Sequence, residues 1–198
     1  MKYEVTSLNT KKLIANSLKK AMKEKPLSKI TVSDLIRDCG INRNTFYYHF
    51  DDIYDLLHWM FANDVIDEVK KFDFIPDSKE AIAYIMDYVE KNDVILNCAY
   101  DSVGRDEMKR FFYDDFVTIV TSIVESAEQE NNITLNADFK QFVCEFYTEA
   151  LAGILIDCIK KRKNRNREEM IQHLFFLLKS AITANLVESP ENSLGMKF

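Results

Sequence analysis

Residues 31–50, TVSDLIRDCGINRNTFYYHF, constrain the fold of this chain more than any other stretch. Their pattern predicts two short helices joined by a tight turn. The apolar side chains of the first helix recur at helical spacing and are Val32, Leu35 and Ile36. Thr31 or Ser33 can cap that helix, and Gly40 stands where the chain must reverse with a positive φ. The stretch therefore predicts a helix-turn-helix unit.

The second helix of this unit would expose polar and aromatic side chains. Asn42 can cap it, while Ile41, Phe46 and Phe50 would pack on the first helix. The outward side chains are Arg43, Asn44, Thr45, Tyr47, Tyr48 and His49. Such a surface suits a helix that enters the major groove of DNA. The alternative is an ordinary helical hairpin with a solvated face, since helix pairs with a glycine turn are common.

Charge is divided unevenly along the chain, whose formal net charge is −6. Residues 1–50 hold ten basic and four acidic residues, giving +6, and the remainder holds sixteen basic and twenty-eight acidic residues, giving −12. A basic segment suits contacts with phosphates, while an acidic body repels DNA elsewhere. The asymmetry favours nucleic-acid binding by the N-terminal part.

Composition predicts an all-α fold, because only four of the 198 residues are glycine and three are proline, and these residues interrupt helices. We expect about nine helices. They would form a helix-turn-helix DNA-binding domain at 1–52 and a helical ligand-binding and dimerisation domain at 53–188, followed by a flexible tail at 189–198. No apolar run approaches the ~20 residues that span a bilayer, and the polar N-terminus contains no signal-peptide segment. A cytoplasmic protein without membrane contact is therefore expected.

Residues 9–24 predict an amphipathic helix whose inward side chains are Leu13, Ile14, Leu18, Ala21 and Met22. Its lysines either lie along the DNA backbone or form a solvated face. The chain is predicted to close with two helices, at about 137–161 and 167–187, that are apolar over much of their circumference. Gly153 lies inside the first, where close approach of another helix backbone would explain it. These features predict a homodimer through the last two helices; the alternative places both in a monomeric core.

The first part of the chain resembles the tetracycline repressor (TetR) family of bacterial regulators. A lysine-bearing helix is followed by KITVSDLIRDCGINRNTFYYHFDDIYDLL, so the resemblance covers about the first 56 residues. The remainder resembles the family in layout, with a variable ligand domain that ends in two dimerising helices. The wording TFYYHF, with Gly153 and then Glu168-Glu169-Met170, is similar to the Firmicute branch that includes dihydroxyacetone-kinase regulators.

The resemblance implies roles for individual side chains in binding double-stranded DNA. Those that would contact phosphates are Thr31, Thr45, Tyr47 and His49, and those that would reach base edges or the groove wall are Arg43, Asn44 and Tyr48. One position departs from the family pattern: Ile53 stands where relatives commonly place a phosphate-contacting lysine, after the acidic Asp51 and Asp52. Losing that cation should weaken phosphate binding. A regulator that needs a protein partner to bind DNA is therefore the alternative to an autonomous repressor.

The resemblance also implies a small-molecule effector that binds among the body helices and shifts the equilibrium between two states of the dimer. Aromatic residues are abundant in that region. The candidate pocket residues are Tyr84, Tyr88, Tyr100, Phe112, Phe116, Phe142 and Phe146. Ordinary core packing is the alternative for each of them. No cofactor and no metal are expected.

Residues that could support catalysis are scattered. The three histidines, His49, His58 and His173, lack metal-ligand spacing, and the chain has no glycine-rich phosphate loop and no nucleophile elbow. An enzyme is therefore not expected. The cysteines lack CxxC and zinc-ligand spacing and would fill space as reduced thiols. Redox sensing by Cys39, which lies in the turn, is the alternative.

Overall fold

The computed structural model describes residues 2–66, 78–160 and 166–178, and within these ranges it contains helices and connecting turns but no strand. The α-helices are α1 (Lys2–Glu24), α2 (Val32–Cys39), α3 (Arg43–His49), α4 (Ile53–Phe61), α5 (Ser78–Lys91), α6 (Asp93–Asn131), α7 (Ala137–Lys160) and α8 (Arg167–Phe176). A π-helical turn, Ala62–Ile66, follows α4. The all-α prediction is confirmed.

Helix α6 runs through Gly104 with a change of direction. At Gly104 the backbone turns to φ 82° and ψ 174°, so α6 is kinked there. The described ranges hold eight α-helices, whereas about nine were expected. If α6 is counted as two helices that meet at the kink, the number is nine. The predicted tail at 189–198 and the end of the predicted last helix, beyond residue 178, lie outside the described residues.

The chain forms two compact units. Unit 1 comprises Met1–Asp67 and Asn92–Phe111, and unit 2 comprises Glu68–Lys91 and Phe112–Phe198. Unit 1 therefore includes α4 together with the helix-turn-helix, whereas the sequence predicts a domain boundary after residue 52. That boundary stays a prediction. None of the described helices combines the length and apolarity needed to cross a membrane.

Unit 1 is built on α1, which packs against α2, α3 and α4. Ile14, Leu18 and Met22 recur every four residues on α1 and are almost completely buried. Leu13 was expected to point inward, but 46% of it is exposed. Successive residues on a helix are rotated by about 100°, so Leu13 falls at the edge of the stripe that the other three define. Helix α1 also begins at Lys2, well before the predicted start at residue 9.

The start of α2 is fixed by a reciprocal capping box. The Thr31 hydroxyl accepts the Asp34 backbone N–H at 3.2 Å, and the Asp34 carboxylate accepts the Thr31 backbone N–H at 3.1 Å. The Lys25 ammonium also donates to that carboxylate at 2.8 Å. Lys25 first, and then Thr31, lower the pKa of Asp34 to about 2. Of the two predicted candidates, Thr31 and Ser33, the structure uses Thr31 as the cap.

The end of α2 requires a left-handed backbone. Gly40 adopts φ 65° and ψ 29°, and its N–H donates to the carbonyls at the end of α2. The predicted positive φ is confirmed. This turn sets the direction in which α3 leaves α2, because the Ile41 N–H then bonds the Ile36 carbonyl at 3.1 Å and completes a Schellman-like C-cap.

Unit 2 contains α5, the part of α6 from Phe112 onward, α7 and α8. Helix α8 packs on α5, and Arg167 at its start forms an ion pair with Asp87 of α5. The core of this unit is aliphatic, with Val120, Val124 and Ile156 at most 1% exposed. Unit 2 is therefore a helical bundle held by apolar packing and tied at one end by an arginine.

Gly40→Ala should destabilise the protein by about 1–2 kcal/mol, because a Cβ is unfavourable in the left-handed region. Gly40→Asn is the matched variant and should lose less, since asparagine tolerates this backbone. Urea unfolding followed by circular dichroism measures both. Equal stability of the alanine variant and the parent would contradict the assigned turn.

Candidate functional site

Helix α3 is anchored by two buried aromatic side chains and one cap. Phe46 is completely buried, and Phe50 at the end of the helix is 2% exposed. At the other end the Asn42 side chain accepts the Thr45 backbone N–H at 2.8 Å and the Thr45 hydroxyl at 3.1 Å. The predicted cap at Asn42 is confirmed. The helix is therefore held firmly from its inner face.

The outer face of α3 carries the side chains that the sequence assigns to DNA. Arg43 and Asn44 are exposed, Tyr47 is 46% exposed and Tyr48 is 82% exposed. Thr45 and His49 are half-buried, and Thr31 is exposed at the start of α2. All seven predicted contact residues thus lie on α3 or at the cap of the helix packed against it. Their roles stay predictions.

Arg43 is positioned by its neighbour one turn along α3. Its guanidinium carbon lies 5.7 Å from the centre of the Tyr47 ring, and Nη2 is 3.4 Å from the Tyr47 hydroxyl oxygen. Stacking on an aromatic ring restricts the arginine side chain. A guanidinium held in this way can donate two parallel hydrogen bonds to a guanine edge.

His49 lies at the end of α3 beside Lys11 of α1. Partial burial, and then the positive charge of Lys11, lower the pKa of the His49 imidazole below its ordinary value of 6.5. Lys11 Nζ lies 5.5 Å from the ring centres of both Phe50 and Trp59. The lowered pKa favours the neutral imidazole, which can donate one N–H.

Three of the ten basic residues of segment 1–50 are already paired within unit 1. Lys20 binds the Asp38 carboxylate at 2.8 Å, and Lys25 binds Asp34 at the same distance. Lys19 pairs with Asp64. The basic surface available to a nucleic acid is therefore smaller than the charge count of the segment implies.

The start of α4 is closed to anions. The Asp52 carboxylate accepts the backbone N–H groups of Tyr54 at 2.7 Å and Asp55 at 2.8 Å. Asp55 in turn accepts the Asp51 N–H at 3.0 Å. Because the chain's own carboxylates occupy these donors, a phosphate at this position would meet negative charge. The start of α4 therefore lacks the lysine of the family pattern at Ile53 and, in addition, carries carboxylates that repel a phosphate.

The aromatic residues proposed to line an effector pocket lie in different surroundings. Phe112 and Phe116 are buried, at 4% and 5% exposure. Tyr84 and Tyr88 are half-buried on α5. Two others, Phe142 and Phe146, are 61% and 57% exposed. Tyr100 belongs to unit 1, whereas the other six belong to unit 2. The assignment of these residues to a ligand stays a prediction.

Unit 2 contains an apolar cavity of about 60 Å³, bordered by α5, α6, α7 and α8. Of the seven predicted residues, Phe116 lines it. Most of the lining is aliphatic and includes Ile82, Ile85, Met86, Ile119, Ile123, Leu151 and Ile154. The sequence signal for these residues is their spacing of three and four positions. The prediction of the pocket residues used the abundance of aromatic residues and not this spacing.

The cysteines behave as ordinary packed thiols. All four are free. Burial raises the pKa of both Cys39 and Cys98, and the Cys39 thiol is 3.7 Å from the Leu13 carbonyl oxygen. A raised pKa lowers the fraction of reactive thiolate. The geometry at Cys39 therefore favours the space-filling interpretation over redox sensing.

A helix-turn-helix with an exposed polar helix, joined to a helical bundle, defines a class of transcription regulators. Residues 16–60 match the family model for bacterial regulatory proteins of the tetR family, and residues 77–180 match the TetR_C_8 model, a transcriptional regulator C-terminal region. The chain therefore belongs to the TetR family of transcriptional regulators and carries its helix-turn-helix domain. Family membership confirms the prediction of a regulator rather than an enzyme.

The chain is also similar to individual members of this family. It is 23% identical over 153 residues to the HTH-type dhaKLM operon transcriptional activator DhaS of Lactococcus lactis subsp. lactis (strain IL1403), covering 77% of this chain and 81% of the relative. The solved structure of the dihydroxyacetone kinase operon activator DhaS has a TM-score of 0.69 at 21% identity, covering 88% of this chain and 97% of that one. The resemblance to the dihydroxyacetone-kinase branch is confirmed.

Acid should destabilise the protein through His49. Because the folded pKa lies below the unfolded value of 6.5, the folded state binds this proton less readily. The corresponding stability is present above pH 6.5 and is lost as the pH falls below it. Titration of the imidazole by NMR should give a pKa below 6.5 in the free protein, and His49→Gln should lose less stability between pH 7.5 and 5.5. An imidazole pKa above 6.5 would contradict the described environment.

Proposed function

We propose that this protein is a dimeric, operator-binding transcription regulator in which α3 reads the major groove of DNA. The observation that carries the proposal is the two-sided character of α3. Its inner face is anchored by the fully buried Phe46, while its outer face exposes Arg43, Asn44 and Tyr48. Folding does not require this outer surface, whereas major-groove recognition requires hydrogen-bonding side chains of this kind.

The proposed contacts are of two kinds: contacts with base edges, which read the DNA sequence, and contacts with phosphates, which position the protein on the duplex. Arg43 and Asn44 can form paired hydrogen bonds with base edges, and Tyr48 can reach a base edge or the groove wall. The phosphate contacts would come from Thr31, Thr45, Tyr47 and His49. Thr31 and Thr45 are already hydrogen-bonded within the chain. Their hydroxyls are therefore oriented by the caps of α2 and α3 before DNA arrives.

Dimerisation is proposed to occur through α7 and α8. Phe142 and Phe146 are exposed and stack on each other with ring centres 6.3 Å apart. Along α7, Gly153 lies in open space, since an added Cβ would meet no heavy atom within 4 Å. On α8, Phe176 is 64% exposed and Leu177 is 49% exposed. A second copy would cover these apolar side chains and give Gly153 the close neighbour that a helix-interior glycine suggests.

In such a dimer two copies of α3 would enter successive major grooves about 34–36 Å apart. The operator would then be approximately palindromic. An effector that bound one state of unit 2 more tightly would shift the population of DNA-competent dimers. The apolar lining of the cavity supports this part of the proposal, because small-molecule sites are lined mostly by apolar side chains.

A second candidate function is favoured by the start of α4. There the carboxylate of Asp52 takes the helix N–H groups, and Ile53 stands where relatives commonly place a phosphate-contacting lysine. A contact with the DNA backbone is therefore weakened. On this proposal the protein binds DNA strongly only together with a partner protein. The two candidates differ in whether the purified chain selects DNA alone.

The direction of regulation also belongs to the proposal. The family resemblance suggests a repressor, whereas the relative in Lactococcus lactis is named an operon activator. A bound regulator can block or recruit polymerase according to the position of its operator. A promoter–reporter fusion with and without this protein measures the direction once the operator is known.

Selection of random duplex DNA by the purified protein, at two salt concentrations, should enrich a palindrome. Arg43→Ala should weaken binding to the selected site by about 1–3 kcal/mol and relax the preference at one position. Arg37→Ala is the matched control, because Arg37 is exposed on α2 and lies outside the outer face of α3. Failure to enrich any sequence at low salt, with enrichment restored by cell lysate, would favour the partner-dependent candidate.

Replacing Phe142 and Phe146 by serine should convert the protein from dimer to monomer. The two rings would lose the apolar surface that a partner covers, while their exposure leaves the fold of one chain little affected. Val94→Ser is the control, since Val94 is 55% exposed on α6 outside the proposed interface. Sedimentation velocity measures the assembly state. A monomeric parent protein, or a dimeric double variant, would refute this interface.

A further inference from the structure

We propose that a groove beside α3 seats a phosphate of the operator backbone, and that Lys11 of α1 supplies its cation. The groove has a volume of about 490 Å³ and lies among the start of α1, the end of α3 and Trp59 of α4. It is lined by Ser7, Lys11, Tyr48 and His49, among others. The inference rests on the proposed DNA binding and deepens it, because it assigns a contact outside the helix-turn-helix motif.

Lys11 is held in place by aromatic rings. Its Nζ atom lies 5.5 Å from the ring centre of Phe50 and 5.5 Å from that of Trp59. Both rings belong to the framework that fixes α3 and α4, since Phe50 is 2% exposed and packs against Trp59 with ring centres 5.7 Å apart. Cation–π contacts restrict the ammonium group without neutralising its charge.

The charge of Lys11 is available, unlike that of three other lysines on or near α1. Lys19, Lys20 and Lys25 each form an ion pair with an aspartate. Among the described residues no carboxylate forms an ion pair with the Lys11 ammonium group, which lies beside the two aromatic rings and His49. A phosphate would therefore meet an uncompensated positive charge in the groove.

The groove also offers hydrogen-bond donors and is continuous with the proposed reading surface. Tyr48 carries a hydroxyl, His49 can donate an N–H, and Ser7 presents a hydroxyl from α1. Tyr48 and His49 are the last residues of the exposed face of α3. A DNA strand that lies against this face would therefore pass the groove. A phosphodiester of bound DNA is therefore the occupant to which the geometry points.

The start of α4 cannot provide the same contact. At the start of α4 the backbone donors are taken by Asp52, and Asp51 and Asp55 add further negative charge. Of these two places beside α3, one is blocked by carboxylates and the other holds a free ammonium group. The cation that the sequence lacks at Ile53 is thus replaced, on this proposal, by Lys11 from a different helix.

The test uses Lys11→Met, which keeps an unbranched side chain against the two rings and removes the charge. Lys12→Met is the matched control, because Lys12 is the exposed next residue of α1 and does not line the groove. Fluorescence anisotropy measures binding to the selected operator and to an unrelated duplex over a range of salt concentrations. Lys11→Met should weaken both by a similar factor and reduce the salt slope by about one. Lys12→Met should leave the slope unchanged, and Lys11→Arg should retain it.

A second measurement does not depend on the variants. A phosphate in the groove would favour the protonated imidazole, so the pKa of His49 should rise when the operator is added to the parent protein. Inorganic phosphate at the same phosphate concentration should leave it unchanged, because a single anion lacks the remaining contacts of the duplex. An equal rise with inorganic phosphate alone would reduce the groove to a general anion site and overturn the proposal.

The outcomes separate this inference from the function on which it rests. If the parent protein binds no duplex, the proposed autonomous DNA binding fails. If the parent binds its operator but Lys11→Met leaves the salt slope unaltered, the proposed function stands and the phosphate seat is refuted. An unchanged pKa of His49 in the operator complex would refute it as well.

Discussion

The fixed position of α3 depends on the burial of Phe46. A seven-residue helix, Arg43–His49, is too short to be stable by itself, so it must be held by packing and capping. Phe46 is completely buried, and the Asn42 cap removes unsatisfied donors at the first turn. The exposed side chains of α3 can then be chosen for their contacts outside the protein. This is why so short a segment can display arginine, asparagine and tyrosine together.

Local charge arrangement governs the recognition surface more than net charge does. The segment 1–50 carries +6, but pairing with Asp34, Asp38 and Asp64 withdraws three lysines from it. The pairs of Lys20 and Lys25 lie at exposed or half-exposed positions, where each adds little stability. The larger effect of the three pairs is to withdraw free positive charge from three positions, whereas Lys11 beside the end of α3 forms no such pair. A restricted positive surface favours a defined register on DNA over general attraction.

The sequence was sufficient to predict the features that depend on local rules. The caps at Thr31 and Asn42 and the positive φ of Gly40 each follow from the chemistry of one residue and its near neighbours. Features that depend on packing were predicted less well: Leu13 was expected inside because it is apolar, yet neighbouring helices cover the stripe centred on Ile14 and Leu18. Lys11 contacts the rings of Phe50 and Trp59, which are far from it in the sequence. No local sequence pattern predicts such a contact.

The same limit applies more strongly to unit 2. Its cavity is bordered by four helices and lined mostly by aliphatic side chains, each of which reads in the sequence as ordinary core. A space of about 60 Å³ is well below the roughly 300 Å³ at which small-molecule pockets begin, so an effector would have to enlarge it. The free energy for that enlargement must come from a higher affinity for the expanded state. Because the lining is apolar, apolar surface on the ligand would have to supply most of that difference.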